Sequence, residues 1–292
     1  MAGHIRGLDH ALVAVDDIDR AAEAYARLGF AITPRGRHVG WGTANVCVMF
    51  PDDYIELIGV VDPADFTGGL PEKLQDGEGL FGLAFASPDP EATAEAWRTA
   101  GLAPDGPMAL GRVLDDGTET HLRFRNVLLP TEETFGLRLF ACHAEDPAAV
   151  RRPEWLGHAN GASGIAAATL VCPDPAALAD GFERLLGAHA ITTTDDTMAV
   201  HTGHGTVIVV TPDDLELLYP HMTLAGEVDR PRLIGLALVA DDPEATASYL
   251  TEQGIPLTRG VGGTVNVAGD QACGVNLEFV ALSATRLRPA GR

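Results

Sequence analysis

Four strand-like segments of the sequence each place one charged residue between apolar neighbours. In a strand, successive side chains point to opposite faces, so the charged side chain lies on the face away from its two neighbours. The same register in all four segments favours an inward face, which would point the charges into cavities, over an outward face in contact with solvent. An arginine in such a cavity can hold a carboxylate or a phosphate through a two-pronged contact. The four residues are Glu56, Arg138, Glu216 and Glu278, in the pentapeptides Tyr54-Ile-Glu-Leu-Ile, Gly136-Leu-Arg-Leu-Phe, Asp214-Leu-Glu-Leu-Leu and Asn276-Leu-Glu-Phe-Val.

The elements that would position these residues form a fourfold internal repeat. Residues 8–30, 80–102, 164–188 and 233–255 each begin with a short apolar run, followed by an acidic turn and an amphipathic segment. An aspartate precedes each amphipathic segment, as an N-cap does, and a glycine ends it, as a C-cap does. The pairs, separated by 12, 12, 13 and 12 residues, are Asp17 and Gly29, Asp89 and Gly101, Asp174 and Gly187, and Asp242 and Gly254.

Strand signals after each helix complete a β-α-β-β-β module, so the sequence predicts an α+β fold of four such modules. A sheet this small has one face left to bury, and pairing two modules would close a half-barrel, giving two cavities in all. We expect residues 1–143 to form an N-terminal domain of modules one and two, residues 144–163 a linker, and residues 164–292 a C-terminal domain. In module three, residues 215–219 are predicted to be the last strand and to carry Glu216.

Composition and charge restrict the possible partners. The 292 residues include 41 aspartates and glutamates against 20 lysines and arginines, a formal net charge of -21. Such a surface repels phosphate backbones and anionic headgroups, so no nucleic-acid or membrane partner is expected. The four cysteines form no CxxC motif, and neither a signal peptide nor a membrane-spanning run is found, which predicts a cytoplasmic protein. A four-module chain can close both cavities internally, so we expect a monomer or a loose homodimer.

Two local motifs carry a resemblance to a known family. One is Leu8-Asp-His-Ala-Leu-Val-Ala-Val together with Tyr54-Ile-Glu-Leu, and the other is Arg152-Pro-Glu-Trp-Leu-Gly-His-Ala-Asn-Gly-Ala. With the repeat, they resemble the vicinal-oxygen-chelate superfamily, and within it the glyoxalase-like domain proteins. The resemblance implies paired modules around a metal-binding cavity, whose ligands come from the first and last strands of the paired modules.

Carried onto this sequence, the resemblance makes His10 the first-strand ligand and Glu56 the last-strand ligand of a divalent metal ion (Fe, Mn, Ni, Zn or Co). The second module departs from the pattern, since Gly82 stands at the counterpart of His10 and Arg138 at the counterpart of Glu56. The corresponding first-strand positions of modules three and four are Ala168 and Gly235, so the C-terminal pair is expected to be structural or a degenerate second cavity.

Three interpretations of this departure stay open. His143, five residues after Arg138, would supply a third metal ligand. Alternatively, His158 in the linker would reach the cavity. In the third, no metal binds, and Arg138 holds a substrate carboxylate or phosphate or pairs with Glu56.

Further residues are candidates for substrate binding. Trp155, His158 and Asn160 lie in the linker, where such residues often line a site between modules, although a tight connector is the alternative. Trp41 would form an aromatic wall or pack in the core. Isolated histidines, His38 among them, are interpreted as surface or ordinary polar positions.

The leading hypothesis for function is a metalloenzyme of the isomerase, lyase or dioxygenase type. Its ion would act as a Lewis acid on a small molecule with two adjacent oxygens. The alternative is a metal-independent protein that sequesters a small molecule without turnover, as drug-resistance members of the superfamily do.

Overall fold

The computed structural model describes residues 4–220, 222, 224 and 226–281 of the chain. Within these residues, the first half of the chain contains β1 (Leu8–Ala14), α1 (Ile18–Arg27), β2 (Gly36–His38), β3 (Thr43–Met49), β4 (Tyr54–Val60), α2 (Leu70–Gln75), β5 (Gly79–Ala86), α3 (Pro90–Thr99), β6 (Asp105–Leu114), β7 (His121–Leu128), β8 (Arg138–Ala144) and α4 (Pro147–Val150). The second half contains β9 (Ala162–Val171), α5 (Ala179–Leu186), β10 (Ile191–Thr194), β11 (Thr197–His201), β12 (Thr206–Val210), α6 (Pro212–Leu218), β13 (Arg232–Ala240), α7 (Pro243–Glu252), β14 (Thr258–Arg259), β15 (Val265–Val267) and β16 (Asn276–Ala281). The predicted α+β fold of four β-α-β-β-β modules is confirmed.

The first two modules form a closed barrel in the strand order β1-β4-β3-β2-β6-β7-β8-β5. β1 pairs in parallel with β4 and antiparallel with β5, and pairing of β2 with β6 joins the two modules on the other side. β1 is buried on both faces, because His10 and Leu12 point into the barrel while Ala11 and Val13 pack outward in the main core. The cavity expected between the first two modules is therefore the interior of a closed barrel.

The last two modules form an open eight-stranded sheet, with β9 and β13 antiparallel at its centre. Helix α6, together with Tyr219, Met222 and Leu224 after it, covers the face that corresponds to the barrel interior. Leu215 and Met222 pack there against Val210 and Ile234. In the second module pair, the chain itself thus fills the space that the barrel leaves open.

The segment predicted as the last strand of module three is helix α6 instead. The Thr211 hydroxyl accepts a hydrogen bond from the Asp214 amide at 3.1 Å, and Pro212 follows it, which is a favourable helix start. The last strand of module three is β12, which pairs in parallel with β9. The prediction for Glu216 was therefore wrong: its side chain is exposed on a helix, because the capping sequence outweighs the strand-like alternation.

The predicted helix starts of modules one, two and four are confirmed, whereas in module three Asp174 caps a short 3-10 helix, Pro175–Leu178, that leads into α5. Asp17, Asp89, Asp174 and Asp242 each accept hydrogen bonds from backbone amides of the turn that follows. Each cap satisfies donors that would otherwise lack partners and fixes where the helix leaves the sheet. Among the described residues, none of the helices combines the length and the apolar character needed to cross a membrane.

Every first strand contains a one-residue bulge at the same position. In β1, the register with β5 shifts between Leu8 and His10, so that Asp9 is the extra residue. A bulge re-aims the side chain that it displaces, here towards the inner face. The corresponding extra residues of the other modules are Phe81, Ala166 and Ile234.

Polar contacts join the two halves across the main core. The carboxylate of Asp53 is fully buried, lies 2.7 Å from His204 Nε2 and accepts from the Ile165 amide at 3.0 Å. Trp97 Nε1 donates to the carbonyl of Leu185 at 2.8 Å. The barrel is thereby supported from outside by the second sheet.

Candidate functional site

His10 is held at the inner wall of the barrel by a buried ion pair behind it. The bulge brings the carboxylate of Asp9 round to the ring, with Oδ2 2.7 Å from His10 Nδ1. Arg151, from the linker, donates from Nη2 to Asp9 Oδ1 at 3.1 Å. The ring of Tyr54 stacks on the imidazole, with the centroids 4.4 Å apart. With its proton on Nδ1, the imidazole presents the Nε2 lone pair to the cavity.

The carboxylate of Glu56 faces His10 from strand β4. Its Oε1 accepts from Asn45 Nδ2 at 2.5 Å, Oε2 lies 3.4 Å from His10 Nε2, and Oε1 lies 3.5 Å from His38 Nε2. Burial raises the pKa of this carboxyl, but the two imidazoles and the Asn45 hydrogen bond more than offset it. The pKa of Glu56 therefore lies below 4.5, and the group is ionised at neutral pH.

His38 belongs to this cluster, although the sequence did not single it out as a site residue. Its side chain is only 7% exposed, and its Nδ1 lies 2.7 Å from Thr43 Oγ1. Burial lowers the pKa of His38 to about 4, which keeps the imidazole neutral. Strand β2 has three residues, too few for an alternating pattern to reveal which face His38 occupies.

The three groups share a cavity inside the barrel. The centre of a water-sized sphere can occupy about 40 Å³ of it, which is room for a few water molecules or a small ligand group. Trp41 lies in the wall, with its ring centroid 4.8 Å from that of Phe66. Other wall residues are Leu12, Tyr54, Phe81, Leu110, Phe124 and Phe140. The reactive groups therefore face a mostly apolar and aromatic space.

Arg138 reaches the same cavity from the start of β8. Its Cζ lies 5.8 Å from the ring centroids of Phe66 and Phe140 and 6.0 Å from that of Trp41. Among the described residues, it forms no ion pair with a carboxylate, and Glu56 attracts it only at longer range. Burial lowers the pKa of Arg138, although a guanidinium stays charged at neutral pH.

The observed strand pairing changes which residues of module two correspond to His10 and Glu56 of module one. His10 is paired with Tyr54, whereas Gly82, the counterpart of His10, is paired with Arg138. Arg138 therefore corresponds to Tyr54, and Phe140, two residues later, corresponds to Glu56. The alignment by pentapeptides was wrong by two residues, which keeps Arg138 on the inner face but removes it from the ligand position.

His143 is not brought together with His10 and Glu56. Arg138, Phe140 and Cys142 line the cavity, so the alternation of β8 turns His143 outward. Its Nδ1 lies 2.9 Å from the carbonyl oxygen of Ser87, outside the barrel. The expected third ligand therefore lies on the wrong face of its strand.

His158, which was expected to reach the cavity from the linker, connects two parts of the backbone instead. Its Nδ1 accepts from the Ala31 amide and its Nε2 donates to the Met49 carbonyl, both at 3.0 Å. The ring lies between Phe30 and Phe50, with centroids 5.6 and 5.0 Å away. Both ring nitrogens are thus used, and the side chain does not line the cavity.

The other two linker residues also lie away from the cavity wall. Asn160 donates to the carbonyl of Leu28 at 2.9 Å and accepts from the amide of Ala162 at 3.0 Å. Trp155 is 8% exposed and packs in the barrel core with the guanidinium of Arg152 over its ring. The structure does not bring these residues to the site, and their contacts are those of a connector.

The C-terminal sheet offers one comparable carboxylate. Glu278 is the counterpart of Glu56, and Gly235, the counterpart of His10, is paired with Asn276. In module three, the corresponding residues are Ala167, one position before the expected Ala168, and Ile208. No imidazole occupies these four strand positions.

Asp9, His10 and Cys142 are a second group of possible metal ligands, since their donor atoms lie within 4.8 Å of one another. Asp9 is already engaged by His10 and Arg151. Burial raises the pKa of the Cys142 thiol well above its ordinary value, so the sulfur stays protonated. Asp9 and Cys142 are therefore better suited to hold His10 in position than to bind a metal ion with it.

Comparisons with known proteins match residues 8–186 to the model of the glyoxalase-like domain family. A comparison with curated proteins found no match. Among solved structures, a hypothetical protein from Staphylococcus aureus is 11% identical, with a TM-score of 0.67 over 94% of this chain and 99% of that chain. A variant of 4-hydroxymandelate synthase from Streptomyces coelicolor is 14% identical, with a TM-score of 0.58 over 95% of this chain and 92% of that chain.

A fusion protein of a xylose isomerase-like TIM barrel and 4-hydroxyphenylpyruvate dioxygenase is 13% identical, with a TM-score of 0.58 over 96% of this chain and 49% of that chain. At such identities, these structures share the fold of this chain. The family match covers more than half of the sequence and includes the barrel with His10 and Glu56. The chain therefore belongs to the glyoxalase-like domain family of the vicinal-oxygen-chelate superfamily.

Proposed function

We propose that the barrel is the active site of an enzyme that holds a divalent metal ion and acts on a small molecule with two adjacent oxygens. The proposed reaction is of the isomerase, lyase or dioxygenase type. The observation that carries the proposal is the position of Glu56 between the Nε2 atoms of His10 and His38. The proposed ligand set keeps His10 and Glu56 from the sequence analysis and replaces His143 with His38.

The Glu56 carboxylate bridges the two imidazoles through different oxygens, Oε2 towards His10 and Oε1 towards His38, so the side chains would have to move closer together to share one ion. At 3.4 and 3.5 Å, the nitrogen–oxygen separations exceed those of a normal hydrogen bond. Two ligands about 2.1 Å from one ion, at a tetrahedral angle, would be about 3.4 Å apart. Two histidine nitrogens and one carboxylate are also the donor set that Fe, Mn, Ni, Zn and Co accept, with positions left open for substrate.

The residues around the proposed ligands support this role. Asp9 fixes the ring of His10, Thr43 fixes that of His38, and Asn45 fixes the Glu56 carboxylate. Such outer contacts orient ligands. Asn45 Nδ2 also lies 3.3 Å from His38 Nε2, a contact that would be given up when an ion binds there. A bound ion would supply Lewis-acid polarisation of a substrate oxygen, while the apolar wall excludes water.

The metal-independent binding protein remains the second candidate, favoured by the second module. Gly82 and Phe140 stand where a complete paired site would carry two further ligands. Arg138, without a carboxylate partner in the described chain, would then hold an anionic ligand that is bound without turnover.

We also propose that residues 1–143 form the active domain, 144–163 the linker and 164–292 a supporting domain whose last residues, 282–292, lie outside the described part of the chain. The filled face of the second sheet supports this division. We propose that the protein acts in the cytoplasm as a monomer or a loose homodimer.

Elemental analysis of protein purified without a histidine tag tests the metal. We expect near-stoichiometric metal in the wild type and its loss in His10→Ala, Glu56→Gln and His38→Ala, with folding checked by circular dichroism. His143→Ala is the matched control, because it removes an imidazole on the outer face of the barrel, and it should keep the metal.

Two results would contradict the proposal. A wild type that takes up none of the five metals would favour the binding protein. Loss of metal in His143→Ala, with full retention in His38→Ala, would restore His143 as the third ligand and overturn the assignment of His38.

A further inference from the structure

Two guanidinium groups of the barrel cavity lack a carboxylate partner among the described residues: Arg112, which is buried, and Arg138, which is partly buried. Other arginines that are largely covered are paired, since Arg151 contacts Asp9 at 3.1 Å and Arg152 contacts Asp116 at 3.3 Å. A buried charge without a counter-charge is costly, so it is rarely retained without a reason. Unlike Arg151 and Arg152, the two cavity arginines carry positive charge that no carboxylate of the described residues neutralises by direct contact.

Arg112 lies in the interior, on strand β6 beside His38 of β2. It is 2% exposed, and its Nη1 donates to Cys47 Sγ at 3.3 Å. Burial raises the pKa of Cys47 to about 11, so that sulfur is a neutral thiol. No described residue forms a hydrogen bond with Nε of Arg112 or with Oδ1 of Asn126, which lines the same cavity.

Arg138 lies near the mouth, where half-exposed Phe66 marks the edge of the cavity. Three aromatic rings surround its guanidinium, and rings stabilise the charge without meeting the needs of its five N–H donors. Gly68 leaves room for it, because a Cβ at that position would lie 3.2 Å from Arg138 Cζ. The backbone thus makes space for this cation.

The charges of the cavity do not balance. Glu56 is the carboxylate that both arginines face at longer range, and it already serves Asn45 and lies between two imidazoles. One carboxylate therefore stands against two guanidiniums, and a bound divalent ion would widen the excess. Anionic groups of a ligand are the natural source of the missing negative charge.

We propose that the barrel cavity binds a small dicarboxylic acid, with one carboxylate on Arg138 at the mouth and the other on Arg112 in the interior. This names the substrate class of the proposed function and rests on the cavity being its site, but it does not require a metal. The unpaired Asn126 Oδ1 would accept a hydrogen bond from a donor group on the ligand. The aromatic wall would cover the carbon chain or ring between the two acidic groups.

Isothermal titration calorimetry on the full chain tests the proposal. The probes are the straight-chain dicarboxylates from malonate to suberate and the three benzenedicarboxylates, each with its monocarboxylate analogue and its dimethyl ester. Each is measured with metal-free and metal-loaded protein. We expect at least one diacid to bind ten-fold or more tightly than its monoacid and its diester.

Substitution of either arginine should remove that advantage. Arg138→Gln and Arg112→Gln are each expected to weaken the preferred diacid ten-fold or more, to the affinity of the monoacid. Arg125→Gln, which removes an exposed arginine paired with Glu91 outside the barrel, is the matched control and should bind as the wild type does. If Arg112→Gln does not fold, Arg112→Lys keeps the charge without the planar fork, and a three-fold or greater loss is expected.

The outcomes separate this inference from the proposed function. Discrimination in favour of a diacid in protein that never binds metal would support the inference and sink the metalloenzyme. Metal binding without any preference for a diacid over its monoacid and ester would overturn the inference and leave the metalloenzyme. Equal losses in Arg125→Gln and in the two cavity variants would also overturn it.

Discussion

At the scale of single residues, the site depends on what lies behind His10. The Asp9 carboxylate accepts from His10 Nδ1 on one oxygen and from Arg151 on the other, and Asp9 and Arg151 are both largely buried. Such a chain of charge-assisted contacts fixes the rotation of the imidazole and its free nitrogen. Which nitrogen of His10 carries the proton therefore depends on Asp9, which does not itself line the cavity.

Asp9→Asn should destabilise the fold and loosen the site. The amide keeps the shape but leaves Arg151 as an uncompensated buried charge, so we expect a loss of about 3 kcal/mol in the free energy of unfolding. Urea unfolding measures the loss, and proton-detected nitrogen NMR of His10 reports its tautomer. The exposed Glu91→Gln, which breaks the pair with Arg125, should leave both readouts unchanged.

The acid dependence of this effect has a definite sign. The pKa of Asp9 lies below 3.8, because the contacts with His10 and Arg151 outweigh the burial that would raise it. A carboxyl with a lowered folded-state pKa stabilises the protein above about pH 3.8 and ceases to do so as the pH falls through that lower value. The difference between wild type and Asp9→Asn should therefore shrink in acid, and a constant difference would argue against the ion pair.

Part of this site could be predicted from the sequence, and the rest could not, for physical reasons. His10 and Glu56 stand in long strands with clear alternation, and the family resemblance marked both. His38 stands in a three-residue strand without a readable period, and Asp9 faces the interior only because a bulge breaks the alternation that a sequence pattern assumes. The sequence analysis predicted that Arg138 faces the interior. Which residue of module one corresponds to Arg138 depends on strand pairing, which a sequence does not show.

At the scale of elements, the first-strand bulge is the feature that all four modules share. Its extra residue is Asp9, Phe81, Ala166 or Ile234, so the backbone is kept while the side chain varies from a charge to an aromatic ring. A bulge that re-aims two neighbouring side chains to one face gives each module two positions for chemistry. Only module one, among the four described, fills them with an aspartate and a histidine.

In module two, the barrel backbone leaves no space for a side chain at Gly82, the position that corresponds to His10. A Cβ at Gly82 would lie 2.3 Å from the carbonyl oxygen of Arg138 and 2.8 Å from its Cβ. We expect Gly82→Ala to cost about 2 kcal/mol in the free energy of unfolding, because backbone atoms of the barrel must shift. Gly157→Ala, where nothing lies within 4 Å of the added Cβ, should change stability by less than about 0.5 kcal/mol.

Thermal and urea unfolding of the two variants decide this prediction. Equal stabilities would mean that the barrel can open a ligand position in module two, and Gly82→His would then be a route to a complete paired metal site. A large loss in Gly82→Ala alone would explain why the polar groups of the cavity come from His10, His38 and Glu56 instead.

At the scale of the whole molecule, the two halves repeat the same β-α-β-β-β module, but one closes into a barrel and the other stays an open sheet. The repeat and its caps were readable because aspartate, proline and glycine act locally, whereas closure of one sheet and filling of the other depend on packing between distant segments. Helix α6 occupies in the second sheet the face that the barrel keeps open. The protein carries a net charge of -21, yet in the part of the chain that the structure describes two cavity guanidiniums have no carboxylate partner, so the local charge is opposite in sign to the net charge.

The joint between the halves, which is the contact of Asp53 with His204, should make the stability of the whole molecule depend on pH. Hydrogen bonding and attraction from Asp53 raise the pKa of His204 above 6.5, although partial burial opposes them. A histidine with a raised folded-state pKa contributes stability that is fully present below about pH 6.5 and is lost as the pH rises through that higher value. The wild type should therefore lose more stability between pH 6 and pH 9 than His204→Gln, in which this contribution is missing throughout.

Urea midpoints of the two proteins across that range measure the effect, with His201→Gln as the matched control. His201 is exposed on β11 and contacts Thr192 at 3.1 Å, so its removal should leave the pH profile of the wild type intact. If His204→Gln follows the wild-type profile, the Asp53–His204 contact is not what couples protonation to the joint. If the profile flattens as expected, the second sheet stabilises the barrel through a contact that weakens above neutral pH. Any loss of metal or ligand binding in that range must then first be separated from loosening of the joint.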